Sequence, residues 1–358
     1  MDVDFIIAGQ GLAGSTLAIR LLRLGKSVLI FDDPANDAAS LIAAGLFNPL
    51  VFRKITLGWR AWECLDEAGI FYPDLEQQTG ESFYHPDGFY RVHGTEFEAR
   101  TWHRLQETEP FDAFLQNQED PLLRPFLNQP FGGARVKHSG WVNSPVLLQN
   151  LRRKWLENGI LSAEKIDYNS VSIQADGIVY KGAKAGKLIF CEGHKADKNP
   201  WFDYLPYAPA KGELLLIRAP ELKPEVINGG IYVVPMGNAV FRIGATYAWD
   251  QENSDTTTEA RAELVQKLNA LITVPFEIIG QEAGIRPSVQ DRRPLAGLHP
   301  EFPQLGIFNG FGTKGILLAP LLSKEFAAFL VNNEPFSKDY SIGRYSKLRH
   351  SNSPALNK

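Results

Sequence analysis

Cysteine is scarce: Cys64 and Cys191 are the two thiols in 358 residues. That excludes a disulfide framework and fits a reducing compartment, so a cytoplasmic protein is expected. Cys191 closes an apolar run, Lys187-Leu-Ile-Phe-Cys, which predicts a buried, inert thiol. A surplus of one charge is also missing. Lys and Arg number 37 against 41 Asp and Glu, a net charge of −4. No strong pull toward nucleic acid or an anionic membrane follows, and no nucleic-acid partner is expected. No uninterrupted apolar stretch reaches about 18 residues, so no membrane span is expected. The seven histidines form no i, i+4 pair and no Cys-His spacing, which predicts no metal site. The first apolar run starts close to Met1, leaving no room for a signal peptide.

What is present begins at once. The apolar run Phe5 to Ala8 leads into Gly9, Gly11 and Gly14. Ser15 to Leu24 then carries apolar residues at helical spacing, and Ser27-Val-Leu-Ile-Phe ends at Asp32. This reads as strand, glycine turn, helix, strand, acid. Gly9 permits the tight turn, Gly11 lets a pyrophosphate approach the backbone, and Gly14 lets the helix pack on the sheet. The helix start presents N–H groups to the anion. Asp32, 18 residues after Gly14, is placed to accept ribose hydroxyls. The acid argues against NADP, whose extra phosphate it would repel, and leaves NAD and FAD open.

Residues 35–50 are small and glycine-bearing, and read as a chain threading past a flat ligand rather than a strand or long helix. Residues 51–140 turn aromatic and polar, with helices expected around 58–68 and 96–108 and short strands near 82–92. Asn143-Ser-Pro opens a helix over 145–158, with Gly159 after its end. The cluster Arg152-Arg153-Lys154 is expected on its solvated face. Strands follow near 171–174, 177–181 and 187–191, the last returning to the nucleotide-binding sheet. Residues 211–247 show short strands between Gly-Asn and Gly-Gly turns, an antiparallel pattern. Helices over 257–271 and 317–331 complete the chain.

Ordered motifs then become specific. Gly9–Gly14, Asp32, Ala38-Ala-Ser-Leu-Ile-Ala-Ala-Gly45, Tyr232-Val-Val-Pro, Ile243-Gly-Ala-Thr, Gly284-Ile-Arg-Pro, Asp291–Gly297 and Gly315-Ile-Leu-Leu-Ala-Pro occur in that order. Together they resemble the D-amino-acid-oxidase superfamily of FAD enzymes, which includes glycine and sarcosine oxidases. The resemblance implies an α/β fold: a Rossmann-type FAD-binding domain with a parallel sheet, interleaved with an α+β substrate domain on a mainly antiparallel sheet. The FAD-binding domain would take 1–50, 141–205 and 283–345, and the substrate domain 51–140 and 206–282.

The resemblance also implies site residues. FAD contacts are expected at Gly9, Gly11, Leu12, Ala13, Gly14, Asp32, Asp33, Ser40, Ala44, Gly45, Ile166, Gly193, Gly312, Thr313, Lys314, Gly315 and Ile316. Arg286 would take the substrate carboxylate, Tyr232 would assist binding, and Lys314 would place a cation at the flavin or substrate. Sarcosine oxidases attach flavin through a cysteine near the last glycine motif. Residues 308–320 hold none, so noncovalent FAD is expected. Two departures weaken glycine as substrate: Thr313 stands where glycine oxidase has a second arginine, and Met236 replaces the arginine after Y-x-V-P. The implied reaction is oxidation of a C–N bond of a small amine or amino acid, with O2 as one acceptor. A tRNA wobble-uridine-modifying oxidase domain and a flavin-binding protein without turnover remain alternatives.

Overall fold

Two periodicities build the described chain, two residues in the strands and 3.6 in the helices. A computed structural model describes residues 2–33, 38–52, 54–116, 119–249 and 253–348. In chain order, β1 (Asp2–Ala8), α1 (Leu12–Arg23) and β2 (Val28–Phe31) come first. α2 (Ala61–Thr79), β3 (Phe89–Val92) and β4 (Gly133–Val136) occupy the aromatic stretch. α3 (Ser144–Glu157), β5 (Leu161–Ser162) and β6 (Ala183–Phe190) follow. Next come β7 (Ala210–Arg218), β8 (Tyr232–Gly237), β9 (Val240–Gly244), α4 (Thr258–Leu271) and β10 (Glu277–Arg286). β11 (Leu305–Asn309) and α5 (Gly315–Asn332) come last of those that matter to the site.

The chain divides into two compact units, residues 1–41, 145–210 and 285–358 in unit 1, and 42–144 with 211–284 in unit 2. Unit 1 holds a sheet in the order β5, β2, β1, β6, all parallel, with β11 parallel to β6 on its far side. Register pairs Phe5 with Val28 on one side and with Lys187 on the other. β2 is buried at all four positions, as a parallel strand covered on both faces should be. Ile6 and Ala8 join Phe31, Leu188, Phe190 and Ile307 in one core cluster. Phe5 and Ile7 point to the other face by alternation and are equally buried.

Unit 2 is built on a nine-stranded sheet. Its centre is antiparallel: β7 pairs β9, β9 pairs β8, and Val234 sits opposite Arg242. Leu264 and Leu268 of α4 pack with Leu215, Ile217, Val233 and Ile243 on one face. Thr257 caps α4 by accepting the Ala260 N–H. The other face holds Phe89, Trp102, Phe114, Trp141 and Val234. The mixed α/β class, with a parallel nucleotide-type sheet and a second sheet, is the expected one.

Several expectations need correction. The helix expected over 58–68 runs to Thr79, and Gly80 in a left-handed conformation ends it. Residues 35–37 lie outside the described residues, but Ala39–Ile42 forms one helical turn, Leu46–Phe47 pairs with Gly140–Val142, and Leu50–Val51 pairs with Thr56–Leu57. The segment is therefore more regular than a thread past a ligand. β10 was not legible, because Glu277–Arg286 mixes polar and apolar residues without clean alternation. Among the described residues α5 is long and apolar enough to cross a bilayer by length and composition, at a mean hydropathy of 1.4. Lys324 and Glu325 break its apolar run but not its average. Most of α5 is buried, and it packs on α1 in unit 1.

Candidate functional site

The glycine turn of unit 1 is enforced by its backbone. The Gly9 N–H donates to Phe31 O at 2.8 Å and the Cys191 N–H donates to Ala8 O at 2.7 Å, which locks the ends of β1, β2 and β6 together. Gly9 has φ +104°, and a Cβ there would lie 2.4 Å from Cys191 O. A Cβ on Gly14 would lie 1.9 Å from Gly9 O. Both positions exclude any side chain. Gly11 differs: the nearest atom to its Cβ position is Ser40 Oγ at 3.4 Å. Its openness is therefore not a demand of packing. Gly11 is also the cap residue of α1; it has no side chain to bond the turn, and no acid stands in the first turn. Ser40 Oγ accepts the Leu12 N–H at 3.3 Å. Leu12, Ala13 and Gly14 begin this helix, so its positive end is open to an anion. The cradle fits the pyrophosphate of FAD.

Asp32 follows β2 directly and is 9% exposed. Its Oδ1 accepts the Gln10 N–H at 2.7 Å, and its Oδ2 accepts from Arg152 Nη1. Arg152 was expected on a solvated helix face; instead it turns inward from α3 to this carboxylate, which corrects that expectation. A clustered basic triplet hides such a residue because only one of three neighbours on a helix can face the sheet. Asp33 forms an ion pair with Lys195 at 3.7 Å.

The remaining expected FAD positions divide by environment. Gly193, at φ +62°, follows β6, and its carbonyl accepts from Asn309 Nδ2 at 2.8 Å. The Ile166 side chain is buried in the unit 1 core, so only its backbone is left for a ligand. In unit 2, a Cβ on Gly45 would lie 1.9 Å from Val142 O, so packing alone demands that glycine. Ala44 packs beside the aromatic cluster. At the last glycine motif, Gly312 has φ +54° and donates its N–H to Pro287 O at 3.1 Å. Thr313 is exposed, Lys314 caps α5, a Cβ on Gly315 would lie 3.1 Å from Leu12 Cδ2, and Ile316 is buried.

Beyond Cys191, whose thiol burial pushes up, comes Glu192. Its carboxyl accepts from Tyr168 Oη at 2.6 Å and Asn199 Nδ2 at 2.8 Å. Burial pushes it up to about 7, against the pull of those bonds and of Lys165 and Lys195.

In unit 2, Tyr232 lies on the sheet face opposite α4, its ring edge-on to Phe89 at 5.9 Å. Burial pushes its hydroxyl up to about 12, which keeps it a neutral donor. Arg242 shares that face and is 7% exposed; nothing in the sequence reading singled it out. Its Nη1 donates to Ala43 O at 3.0 Å and its Nη2 to Glu282 at 3.4 Å. The only available signal was an arginine inside the apolar strand Val240-Phe-Arg-Ile-Gly. The chain passes from unit 2 to unit 1 between Gly284 and Ile285, within β10, and Arg286 ends this strand, partly buried. Among the described residues no cluster of metal-ligating side chains occurs.

Comparison with known proteins agrees with this geometry. A bifunctional protein of tRNA 5-methylaminomethyl-2-thiouridine biosynthesis, MnmC of Marinobacter nauticus, is 23% identical over 95% of this chain. The bifunctional protein ThiO/ThiG of Trichormus variabilis is 27% identical over 97%. The chain spans 57% and 56% of the length of these two relatives. The crystal structure of glycine oxidase from Geobacillus kaustophilus superposes with a TM-score of 0.79, at 23% identity, over 96% of this chain and 98% of that one. That is a likeness of fold. Residues 4–329 match the DAO family model, described as FAD dependent oxidoreductase. With most of its length matched and a turn shaped for a dinucleotide, the chain belongs to the DAO family of FAD-dependent oxidoreductases.

Proposed function

We propose that this enzyme oxidises a C–N bond of a small amine or amino acid. The observation that carries the reading is the Gly284-Ile-Arg-Pro end of β10, the motif whose arginine the family uses for a carboxylate. FAD, when bound, supplies the acceptor for the hydride that leaves the substrate carbon. The chain's own residues orient and polarise. The Arg286 guanidinium anchors a carboxylate through two parallel N–H bonds. The Tyr232 hydroxyl makes no hydrogen bond among the described residues and stays protonated, so it is free to donate to substrate. Lys314 stands at the N-terminus of α5. Its role is to face negative charge on substrate or cofactor. The substrate nitrogen must be neutral before hydride leaves, so binding lowers its pKa, and the imine product hydrolyses in water. No side-chain base is required. FAD is held without a covalent bond, and O2 is the proposed acceptor, yielding peroxide.

The test is anaerobic bleaching of the flavin across a panel of amino acids and secondary amines, with undermodified tRNA as a separate arm. Bleaching by one small amine, followed by peroxide on admitting air, supports the reading. Bleaching by the tRNA alone transfers it to the activity of MnmC-like relatives. No bleaching by any member of the panel overturns it.

A further inference from the structure

The inward turn of Arg152 has a consequence for how the cofactor is read. A carboxylate offers about four lone-pair sites, two on each oxygen. Among the described residues, each oxygen of Asp32 accepts one bond, Oδ1 from the Gln10 N–H at 2.7 Å and Oδ2 from Arg152. One acceptor site therefore remains on each oxygen. Two adjacent acceptor sites match a vicinal diol, the 2′ and 3′ hydroxyls of a ribose. Arg152 fixes which sites remain. It also donates to Gln10 Oε1 at 3.1 Å, and Gln10 Nε2 donates onward to Leu148 O of α3 at 3.0 Å. One guanidinium thus joins α3, the glycine turn and the end of β2. Its side chain is 19% exposed and that of Asp32 10%, so water screens the pair little. Without it the carboxylate would rotate about its last bond and re-solvate, and the two free sites would no longer be held toward one diol.

We propose that Arg152 is a positioning residue for adenosine recognition: it orients Asp32 so that the carboxylate reads the ribose diol of FAD. The proposal rests on the family's cofactor and is independent of the substrate reading. It makes Arg152 a source of affinity for the adenosine half of the cofactor alone.

The decisive measurement is the ratio of dissociation constants for 2′-deoxyadenosine-FAD and FAD, read by flavin fluorescence on full-length protein stripped of flavin. In the parent protein the missing hydroxyl should weaken binding by about tenfold, the scale of one hydrogen bond to a charged acceptor. In Arg152→Met, FAD itself should bind about tenfold more weakly and the ratio should fall below about threefold. Arg152→Lys, which keeps the charge but not the planar fork, should lie between. That variant also carries the test if the methionine variant does not fold. A ratio unchanged in Arg152→Lys and Arg152→Met, or a ratio near one in the parent protein, overturns the proposal.

Discussion

At the unit 1 turn a single methyl group separates two kinds of glycine, whereas on the Tyr232 face of unit 2 the backbone is ordinary sheet and side chains make every distinction. A Cβ on Gly14 would collide with Gly9 O at 1.9 Å, yet one on Gly11 would find only Ser40 Oγ at 3.4 Å. On the unit 2 sheet, β7, β8 and β9 pair antiparallel, and the β8–β9 register runs unbroken from Tyr232 to Pro235 before it shifts between Pro235 and Gly237. There, the distinction lies in which residues alternate to one side: Tyr232, Val234 and Arg242. The lesson is that a site made of backbone is written in residue types that few other demands would select, while a site made of side chains is written in residues that any sheet could use.

The sharpest way to break this comparison is to substitute the two glycines. Gly14→Ala forces the start of α1 off β1 and should cost about 3 kcal/mol, seen as a fall of roughly 6–12 °C in Tm of the flavin-free protein. Gly11→Ala should leave that Tm within about 2 °C and weaken FAD by at least tenfold, since the methyl enters the space of the pyrophosphate. If both substitutions destabilise the flavin-free protein alike, Gly11 is a packing glycine and the distinction fails.

Tyr232 tests the other side. Its hydroxyl makes no hydrogen bond among the described residues, so Tyr232→Phe removes no internal bond. Stability should stay within about 0.5 kcal/mol. The substrate found in the amine panel should bind about fivefold more weakly in anaerobic flavin titration, the loss of roughly 1 kcal/mol. A fall in Tm with unchanged substrate binding would make Tyr232 a core residue and remove it from the site.

The same contrast explains what was legible in the sequence. Gly9, Gly14 and Asp32 could be assigned because turn, packing and acid spacing each demand one residue type at one place. The strands of unit 1 were legible because a strand buried on both faces reads as an unbroken apolar run, as in Val28–Phe31. Gly45 carries a second demand that the motif does not show, since Val142 O in unit 2 leaves no room for a Cβ there. Arg152 and Arg242 were hidden for a shared reason. Each is a long charged side chain whose direction depends on partners more than 100 residues away, Asp32 for one and Ala43 for the other. No local pattern encodes that direction.

Glu192 gives the smallest effect and asks whether a unit 1 side chain besides Asp32 and Arg152 serves the site. It follows β6, holds Tyr168 and Asn199, and titrates at about 7 in the folded chain against an ordinary 4.5. A raised folded-state pKa means that the folded protein binds the proton more tightly than the unfolded chain. Its stabilising contribution is complete below about pH 4.5, declines as pH rises toward 7, and is absent above that. Besides Tyr168 and Asn199, the charged groups Lys165 and Lys195 act on it, and both favour the ionised form. Glu192→Gln removes the titration and leaves a constant offset from the changed hydrogen bonds. Between about pH 6.5 and pH 8 the parent protein should therefore lose about 0.8 kcal/mol more stability than the variant, measured by urea denaturation of the flavin-free protein at each pH. Parallel pH profiles would show that Glu192 is ionised throughout, held by its hydrogen bonds and lysines. A variant that instead loses FAD without changing its pH profile would show that a side chain beyond Asp32 reads the cofactor, and the backbone account of unit 1 would have to be widened to include it.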